Sequence, residues 1–214
     1  MQGPDYFKTR FAEDPRREVL WETLCKHYFN RLIGSDDHVL ELGAGYGYFI
    51  NNVRCRRRSA IDLWEGLREM AHPGVATRIG PVTDLSFVED RCVDFVFASN
   101  LFEHVSMPDL VKVLGEVRRV LRPNGTLNLL QPNYRKCFRE YFDDFTHVTV
   151  FSDIGLCDFL ESQGFTVTDC RPGFLPLTLK SRIPISRLGI RLYLLSPWKP
   201  FAKQMLVRAK AATL

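Results

Sequence analysis

The stretch VLELGAGYGYF, residues 39–49, passes from apolar residues through an acid into three glycines spaced two apart. Adjacent apolar residues of this kind favour a buried strand, and glycine tolerates the left-handed backbone of a tight turn. A glycine turn at the carboxyl end of a first parallel strand is where α/β sheets bind nucleotide-like ligands. The pattern E-x-G-x-G-x-G therefore predicts a turn in which a ligand can lie against bare backbone.

The glycine spacing differs from that of a dinucleotide-binding fingerprint. That fingerprint has the form G-x-G-x-x-G, which would need a third glycine at Tyr48, whereas the third glycine here is Gly47. NAD-dependent oxidoreduction is therefore disfavoured. A turn with a purely structural role stays open at this point.

The composition of the 214-residue chain is that of a globular protein. Its hydrophobic fraction of 45% is enough for one sizeable core, so we expect a single domain over residues 1–214, with a helical cap at residues 1–35. The six cysteines neither pair as CxxC nor cluster with histidines, so we expect no disulfide scaffold and no metal site. No apolar stretch resembles a leader peptide or a bilayer span, which predicts a cytoplasmic protein.

Strand-like and helix-like segments alternate from about residue 37, which predicts parallel strands joined by crossover helices. The predicted strands are residues 38–42, 58–62, 76–80, 93–99, 126–131, 165–170 and 204–209.

Three covering helices are predicted from capping residues and apolar periodicity. The third runs from a Ser152 cap to Gly164. The second opens near Pro108, reaches Leu121 and stops at the RPNG segment, residues 122–125. The first begins at Asp14 and Pro15 and aligns Leu20, Leu24, Tyr28 and Leu32 on one face.

Two acids follow the second and third predicted strands. Asp62 ends SAIDL, so its carboxylate would lie beside the glycine turn, where it can accept both hydroxyls of a ribose. Asp84, in VTDL, can accept from an adenine amino group, with the Leu85 amide as a donor to the ring. Each acid alone is more often a surface residue or a helix cap, but together with the turn they outline an adenosine.

The ordered combination of these segments resembles the class I S-adenosylmethionine-dependent methyltransferases, in particular the type 11 group. The resemblance covers about residues 37–170 and is carried by VLELGAGYGYF, AIDL, VTDL, VDFVFASNLFEHV and VRRVLRPNGTLNLLQPN. It implies a Rossmann-like, three-layer α/β/α fold with a seven-stranded, mostly parallel sheet and an antiparallel last strand. It also implies S-adenosyl-L-methionine as the cofactor.

The resemblance further implies which residues bind this cofactor. The glycine turn would surround the methionine portion, the end of the second strand the ribose, the loop after the third strand the adenine, and the segment after the fourth strand the sulfonium. In that order, the implied residues are Glu41, Gly43, Gly45 and Gly47; Asp62 and Leu63; Asp84 and Leu85; and Asn100 and Leu101.

Two histidines are candidates for a catalytic base, His104 in FEHV and His147 in YFDDFTHVT. A sulfonium methyl is already electrophilic, so the enzyme mainly has to align the acceptor, and a base helps when the acceptor is a hydroxyl. We favour His147, with Asp143 or Asp144 orienting it. A packed structural histidine, or a reaction without any base, is the alternative.

A narrower resemblance, through QPNYRKCFREYFDDFTHVTVFS and the basic C-terminal segment, is to uncharacterised bacterial methyltransferases that accompany cell-surface polysaccharide genes. It implies a small-molecule or saccharide acceptor and methylation of a sugar hydroxyl. Nitrogen and carbon acceptors stay open, as does a non-catalytic binding or assembly module with the same fold.

Positive charge is concentrated towards the C-terminus, because all 25 acidic residues lie at or before Asp169 while nine of the 29 basic residues follow it. Residues 171–203 predict a basic, amphipathic insert or lid between strands six and seven, with a helix from Pro184. Residues 180–201 could instead make peripheral contact with an anionic membrane. The apolar side of this helix would consist of Ile185, Leu188, Leu192 and Leu195, followed by Trp198 and Phe201.

A second basic cluster, RCRRRS at residues 54–59, lies just before the second predicted strand. Nucleic-acid binding would need such charge joined to exposed aromatic residues along one face. We therefore expect a solvated loop and no nucleic-acid partner.

Overall fold

The computed structural model describes residues 13–176 and 185–212. Within these ranges the chain forms a seven-stranded sheet of order β3-β2-β1-β4-β5-β7-β6. Strands β1 to β5 pair in parallel, whereas β7 is antiparallel to both β5 and β6. The predicted Rossmann-like sheet with an antiparallel last strand is therefore confirmed. The strands are β1 His38–Leu42, β2 Arg57–Asp62, β3 Val75–Ile79, β4 Val93–Ser99, β5 Leu121–Pro132, β6 Phe165–Pro176 and β7 Ala202–Ala211.

The helices begin at capping side chains. Asp14 accepts from the Arg16 amide, Ser106 from the Asp109 amide and Ser152 from the Gly155 amide, as expected for N-cap residues. Within the described residues the α-helices are α1 Pro15–His27, α2 Leu67–Met70, α3 Met107–Val120, α4 Tyr134–Cys137, α5 Asp153–Ser162 and α6 Arg187–Leu195. Short 3₁₀ turns lie at Phe29–Arg31, Phe102–His104 and Tyr141–Asp143.

Both faces of the sheet are covered, which confirms the three-layer α/β/α arrangement. In β4, Val96 and Ala98 belong to the apolar core that contains residues of α3 and α5. Phe95 and Phe97 belong to the opposite core, which contains residues of α1 and α6. Burial on both faces is typical of central parallel strands.

Two predicted helix ends were wrong. The segment after α1 forms a 3₁₀ turn, so Leu32 lies beyond the helix and is exposed rather than part of its apolar face. Helix α3 ends at Val120, because Leu121 already pairs with Val93 of β4 as the first residue of β5. The proline at position 123 also disfavours helical backbone at the residue before it.

The basic insert contributes a helix that packs against the N-terminal helix. Helix α6 packs against α1 and buries Ile190 and Tyr193. Its predicted apolar side, formed by Leu188, Leu192 and Leu195, faces solvent instead. Residues 171–176 belong to β6, and the predicted helix start at position 184 lies outside the described residues. Among the described helices, none has the length and apolar character needed to cross a bilayer.

Candidate functional site

The glycine turn after β1 adopts the left-handed backbone expected from its sequence. Gly43, Gly45 and Gly47 have φ angles of 67°, 51° and 69°. A β-carbon on Gly43 would lie 2.8 Å from Leu101 Cδ1, closer than side chains can approach without a shift. Both the backbone angle and this contact therefore require glycine at the first position of the turn.

Asp62, at the end of β2, holds the glycine turn through its carboxylate. Oδ2 accepts from the Gly45 amide at 2.8 Å, and Oδ1 accepts from the Trp64 amide at 2.8 Å. The side chain is buried, and this burial raises its pKa, while the hydrogen bonds from the backbone oppose the rise. The structure thus brings Asp62 and the glycine turn together. Leu63, beside it, is 58% exposed.

Glu41 lies beneath the turn rather than at its surface. Its Oε2 accepts from the Ile50 amide at 3.0 Å, which ties the end of β1 to the segment that follows the glycines. Burial raises the pKa of this carboxyl well above its ordinary value. Glu41 therefore shapes the turn from within.

The loop after β3 contacts helix α3. The Leu85 amide donates to Glu116 Oε2 at 3.0 Å, so the expected donor to an adenine ring already has a partner within the protein. Asp84 is exposed, accepts from the Ser86 amide at 3.0 Å, and lines a surface groove with Lys112 of α3. Helix α3 thus engages the Leu85 amide, while the assignment of Asp84 and Leu85 to adenine stays a prediction.

Asn100 and Leu101 follow β4 at the same sheet edge as the glycine turn. Asn100 has a φ of 49°, its amide donates to the Leu130 carbonyl at 2.8 Å, and its Oδ1 accepts from Gln204 Nε2 at 2.6 Å. Leu101 lies over Gly43, as described above. The structure therefore brings the segment after β4 into contact with the turn, and it adds Gln204 of β7, which the sequence prediction did not include.

Three aromatic residues near the turn were also missed as parts of the site. The Tyr46 and Trp64 rings lie edge to face, with centroids 4.8 Å apart, and the Tyr48 ring is 5.6 Å from that of Tyr46. The sequence could have indicated them, because Tyr46 lies between the second and third glycines, Tyr48 follows the third, and Trp64 lies two residues beyond Asp62. These rings form one wall beside the turn.

The two candidate histidines lie together, with ring centroids 4.9 Å apart. His147 Nδ1 is 2.6 Å from the Tyr141 carbonyl, which can only accept, so this nitrogen carries the proton and the lone pair is on Nε2. The orienting group for His147 is thus a backbone carbonyl. The role of Asp143 or Asp144 in orienting His147 stays a prediction.

Asp144 instead acts on the other histidine through a threonine. Thr146 Oγ1 donates to Asp144 Oδ1 at 2.6 Å and lies 3.0 Å from His104 Nδ1, from which it accepts. Burial, followed by the nearby charge of His147, lowers the pKa of His104 to about 4. His104 is therefore a neutral imidazole at pH 7 with its lone pair on Nε2.

Glu103 completes this cluster and was missed at the sequence level, where its only signal is its place beside His104. The side chain is 2% exposed, and burial raises its pKa to about 8. Among residues 13–176 and 185–212, neither carboxylate oxygen has a hydrogen-bond partner. A carboxylate oxygen of Glu103 and a ring nitrogen of each histidine all lie within 4.8 Å of one another.

Comparison with protein families agrees with the geometry of the glycine turn. Residues 40–129 match the family described as "Methyltransferase domain". The matched region is similar to methyltransferase domains of the type 11 group, which supports an enzyme with S-adenosylmethionine as its cofactor.

Among curated proteins, the chain is 31% identical over 115 residues to a sarcosine/dimethylglycine N-methyltransferase of Halorhodospira halochloris. That similarity covers 48% of this chain and 40% of the relative, so the match spans less than half of the relative's length.

Solved structures share the whole fold at low sequence identity. A chain from the Haloferax volcanii complex between the Trm112 methyltransferase activator and a methyltransferase superposes with a TM-score of 0.74, at 19% identity over 98% of this chain and 97% of that chain. An Archaeoglobus fulgidus SAM-dependent methyltransferase gives a TM-score of 0.67, at 18% identity over 96% and 97% of the two chains. These likenesses establish the fold.

We expect replacement of Gly43 by alanine to destabilise the protein by about 2 kcal/mol or more, because the new β-carbon meets Leu101 and the left-handed backbone disfavours L-residues. The control is Gly115→Ala in α3, where a β-carbon meets no atom within 4 Å. This change should stabilise the protein by about 0.5–1 kcal/mol through helix propensity. Urea denaturation measures both; equal effects of the two changes would contradict the role assigned to Gly43.

Proposed function

We propose that this protein is a cytoplasmic methyltransferase that methylates a hydroxyl of a small-molecule or saccharide acceptor, with S-adenosylmethionine as the donor. The observation that carries the proposal is the meeting of the glycine turn with Asp62 at one edge of the sheet. The segment after β4 contacts this turn and leads directly to the His104–His147 pair. Donor-binding and acceptor-activating groups thus lie next to one another.

The residues at the glycine turn fit S-adenosylmethionine. This compound carries no pyrophosphate, and its amino-acid arm can lie along the bare backbone of the turn. Each oxygen of Asp62 accepts one amide and retains a second lone pair, with which it can accept a ribose hydroxyl. Exposed Leu63 offers an apolar surface for adenine, as do residues 80–82, which adjoin Asp62 through the hydrogen bond from the Gly80 amide to the Asp62 carbonyl.

When bound, the cofactor would supply a sulfonium methyl group, which an aligned nucleophile takes up by in-line attack as the sulfur leaves as a thioether. Asn100 and Leu101 would border the sulfonium, because they follow β4 at the edge where the turn lies. We assign activation of the acceptor hydroxyl to His147, whose lone pair is on Nε2, and orientation of the acceptor to His104. The aromatic residues on the segment 134–148 would exclude water from the acceptor.

The proposed acceptor class rests on the narrower sequence resemblance, which points to a sugar hydroxyl. A nucleic acid is not proposed as the acceptor. The basic cluster at residues 54–59 leads into β2, which begins at Arg57 and ends at Asp62. The cluster therefore lies at the opposite end of this strand from the glycine turn. The Halorhodospira halochloris relative is named as an N-methyltransferase, which makes an amine acceptor the second candidate. A non-catalytic module would bind the cofactor without any turnover.

We expect Asp62→Ala to weaken S-adenosylmethionine binding by at least about tenfold, because charge-assisted hydrogen bonds to the ribose and the brace on the turn are both lost. Asp158→Ala is the matched control, since this acid is exposed on the covering helix α5, and the affinity of this variant should stay within about twofold of wild type. Isothermal titration calorimetry measures both. No heat with the wild-type chain, or equal affinity of Asp62→Ala and wild type, would overturn the cofactor assignment.

We expect the wild-type protein to transfer radiolabelled methyl groups from S-adenosylmethionine to nucleotide-linked or lipid-linked saccharides. His147→Ala should lower turnover by about 10²- to 10⁴-fold, because the base is lost. Cofactor affinity should not change in this variant, because His147 belongs to the acceptor side. His72→Ala, at an exposed histidine, is the control and should retain wild-type turnover. A His147→Ala variant that turns over as fast as wild type would remove His147 from the mechanism.

The exposed face of α6 supports peripheral contact with an anionic membrane. Leu188, Leu192 and Leu195 are exposed on one side of the helix, and exposed Trp198 and Phe201 follow. The C-terminal part of the chain carries only basic charge, which attracts anionic lipid. An apolar stripe, aromatic residues and basic charge together are typical of interfacial helices.

We expect the protein to float with phosphatidylserine-containing vesicles and to be released at high salt. Leu192→Asp should lower the bound fraction by at least about tenfold, because it removes apolar burial worth about 1.5–3 kcal/mol. Val111→Asp, at an exposed apolar residue of α3, should bind like wild type. If flotation shows no lipid-bound protein at low salt, the membrane contact is wrong.

A further inference from the structure

Glu103, His104 and His147 form a compact set of nitrogen and oxygen donors beside the segment that contacts the glycine turn. One donor atom from each side chain lies within 4.8 Å of the other two. From this arrangement we propose that the cluster binds a divalent first-row transition ion, with Zn²⁺ as the reference case. The sequence analysis predicted no metal site, because it considered the spacing of the cysteines and histidines, whereas His147 lies more than 40 positions beyond the adjacent pair Glu103 and His104.

The buried carboxylate of Glu103 is the observation that points to a ligand. It is 2% exposed and has no hydrogen-bond partner for either oxygen within residues 13–176 and 185–212. Buried polar groups are nearly always partnered, and an ion is one of the few explanations when they are not. Its oxygens lie close to the ring nitrogens of both histidines, so a single cation can serve all three groups.

The two imidazoles are oriented as metal ligands usually are. His147 Nδ1 donates to the Tyr141 carbonyl, and His104 Nδ1 donates to Thr146. Metal-binding histidines typically donate their second ring nitrogen to such a backbone or side-chain acceptor, which fixes the tautomer and directs the lone pair at the ion. Asp144 extends this support through the hydroxyl of Thr146.

The backbone holds the ligands from the two segments together. The Glu103 carbonyl accepts from the Val148 amide at 2.8 Å and from the Thr149 amide at 3.1 Å. A Zn²⁺ ion with bonds of about 2.0–2.2 Å separates its ligand atoms by roughly 3.3 Å, so the side chains must close by at most about 1.5 Å. Small rotations of three side chains are enough for this, because the backbone segments are already joined.

The donor set favours some ions over others. Two imidazoles and one carboxylate suit Zn²⁺ and its divalent neighbours better than Mg²⁺ or Ca²⁺, which prefer oxygen donors. Three protein ligands leave a coordination position open, as in catalytic rather than structural sites. An acceptor hydroxyl could fill this position, where the ion would lower the pKa of the hydroxyl. Because Nε2 of His147 would then be bound to the ion, the ion takes over the activating role that the proposed function assigns to His147. The inference thus deepens the proposed function, on which it rests, at the step of acceptor activation.

The test measures ion binding directly and needs no acceptor. Full-length protein, stripped with EDTA, is titrated with ZnCl₂ at pH 7.5 in a calorimeter, and thermal unfolding is followed with and without Zn²⁺. We expect one Zn²⁺ per chain and a Zn²⁺-dependent rise in Tm. Glu103→Gln should weaken binding by at least about tenfold and abolish the rise. This variant keeps all six cysteines, so binding to thiols would be the same in both proteins.

Matched variants separate the outcomes. His72→Asn, the control, should bind Zn²⁺ like wild type. His147→Gln should lose Zn²⁺ binding as Glu103→Gln does. This second variant keeps the test decisive if Glu103→Gln does not fold. No one-to-one binding by wild type, or equal binding by wild type and His147→Gln, would overturn the metal site. Titration with S-adenosylmethionine in the same samples tests the proposed function separately, since that ligand is assigned to the glycine turn.

Discussion

The carboxylate of Asp62 is the constraint on which the site depends. By accepting from the Gly45 and Trp64 amides, it fixes the backbone after β1 and the backbone after β2 relative to each other. The glycine turn also lies close to Leu101, the second residue after β4. A single buried side chain thus joins two neighbouring strand ends at the carboxyl edge, and the turn that it holds adjoins the segment after a third.

Three buried acids near this edge differ in how their oxygens are satisfied. Glu41 accepts one amide and closes the turn from beneath, while Asp62 accepts two. Glu103 accepts none within the described ranges of the chain. Burial raises the pKa of all three carboxyl groups. Hydrogen bonds from backbone amides to Glu41 and Asp62 offset part of the free energy needed to bury a negative charge. The first two acids therefore stabilise the fold, whereas no donor among the described residues satisfies the carboxylate of Glu103.

The sequence predicted those parts of the structure that depend on residues close together along the chain. The ends of β1 and β4, the N-caps Asp14 and Ser152 and the position of Asp62 followed from apolar runs, capping residues and the rule that parallel strands end at one edge. The partner of the Leu85 amide could not be predicted in this way, because it is Glu116, a residue 31 positions away on a covering helix. The buried side of α6 could not be predicted either: packing on α1 buries Ile190 and Tyr193, whereas the leucines that share one side by periodicity are exposed. Contacts between distant segments leave no mark on local periodicity.

The position of β7 in the sheet has a consequence for the order of assembly. This strand lies between β5 and β6, although it follows both along the chain. During synthesis on a ribosome, β6 therefore has no neighbouring strand until residues 202–211 have left the exit tunnel, and β5 has an open edge for the same period. The parallel half of the sheet can form earlier, while the antiparallel edge waits for translation to pass β7.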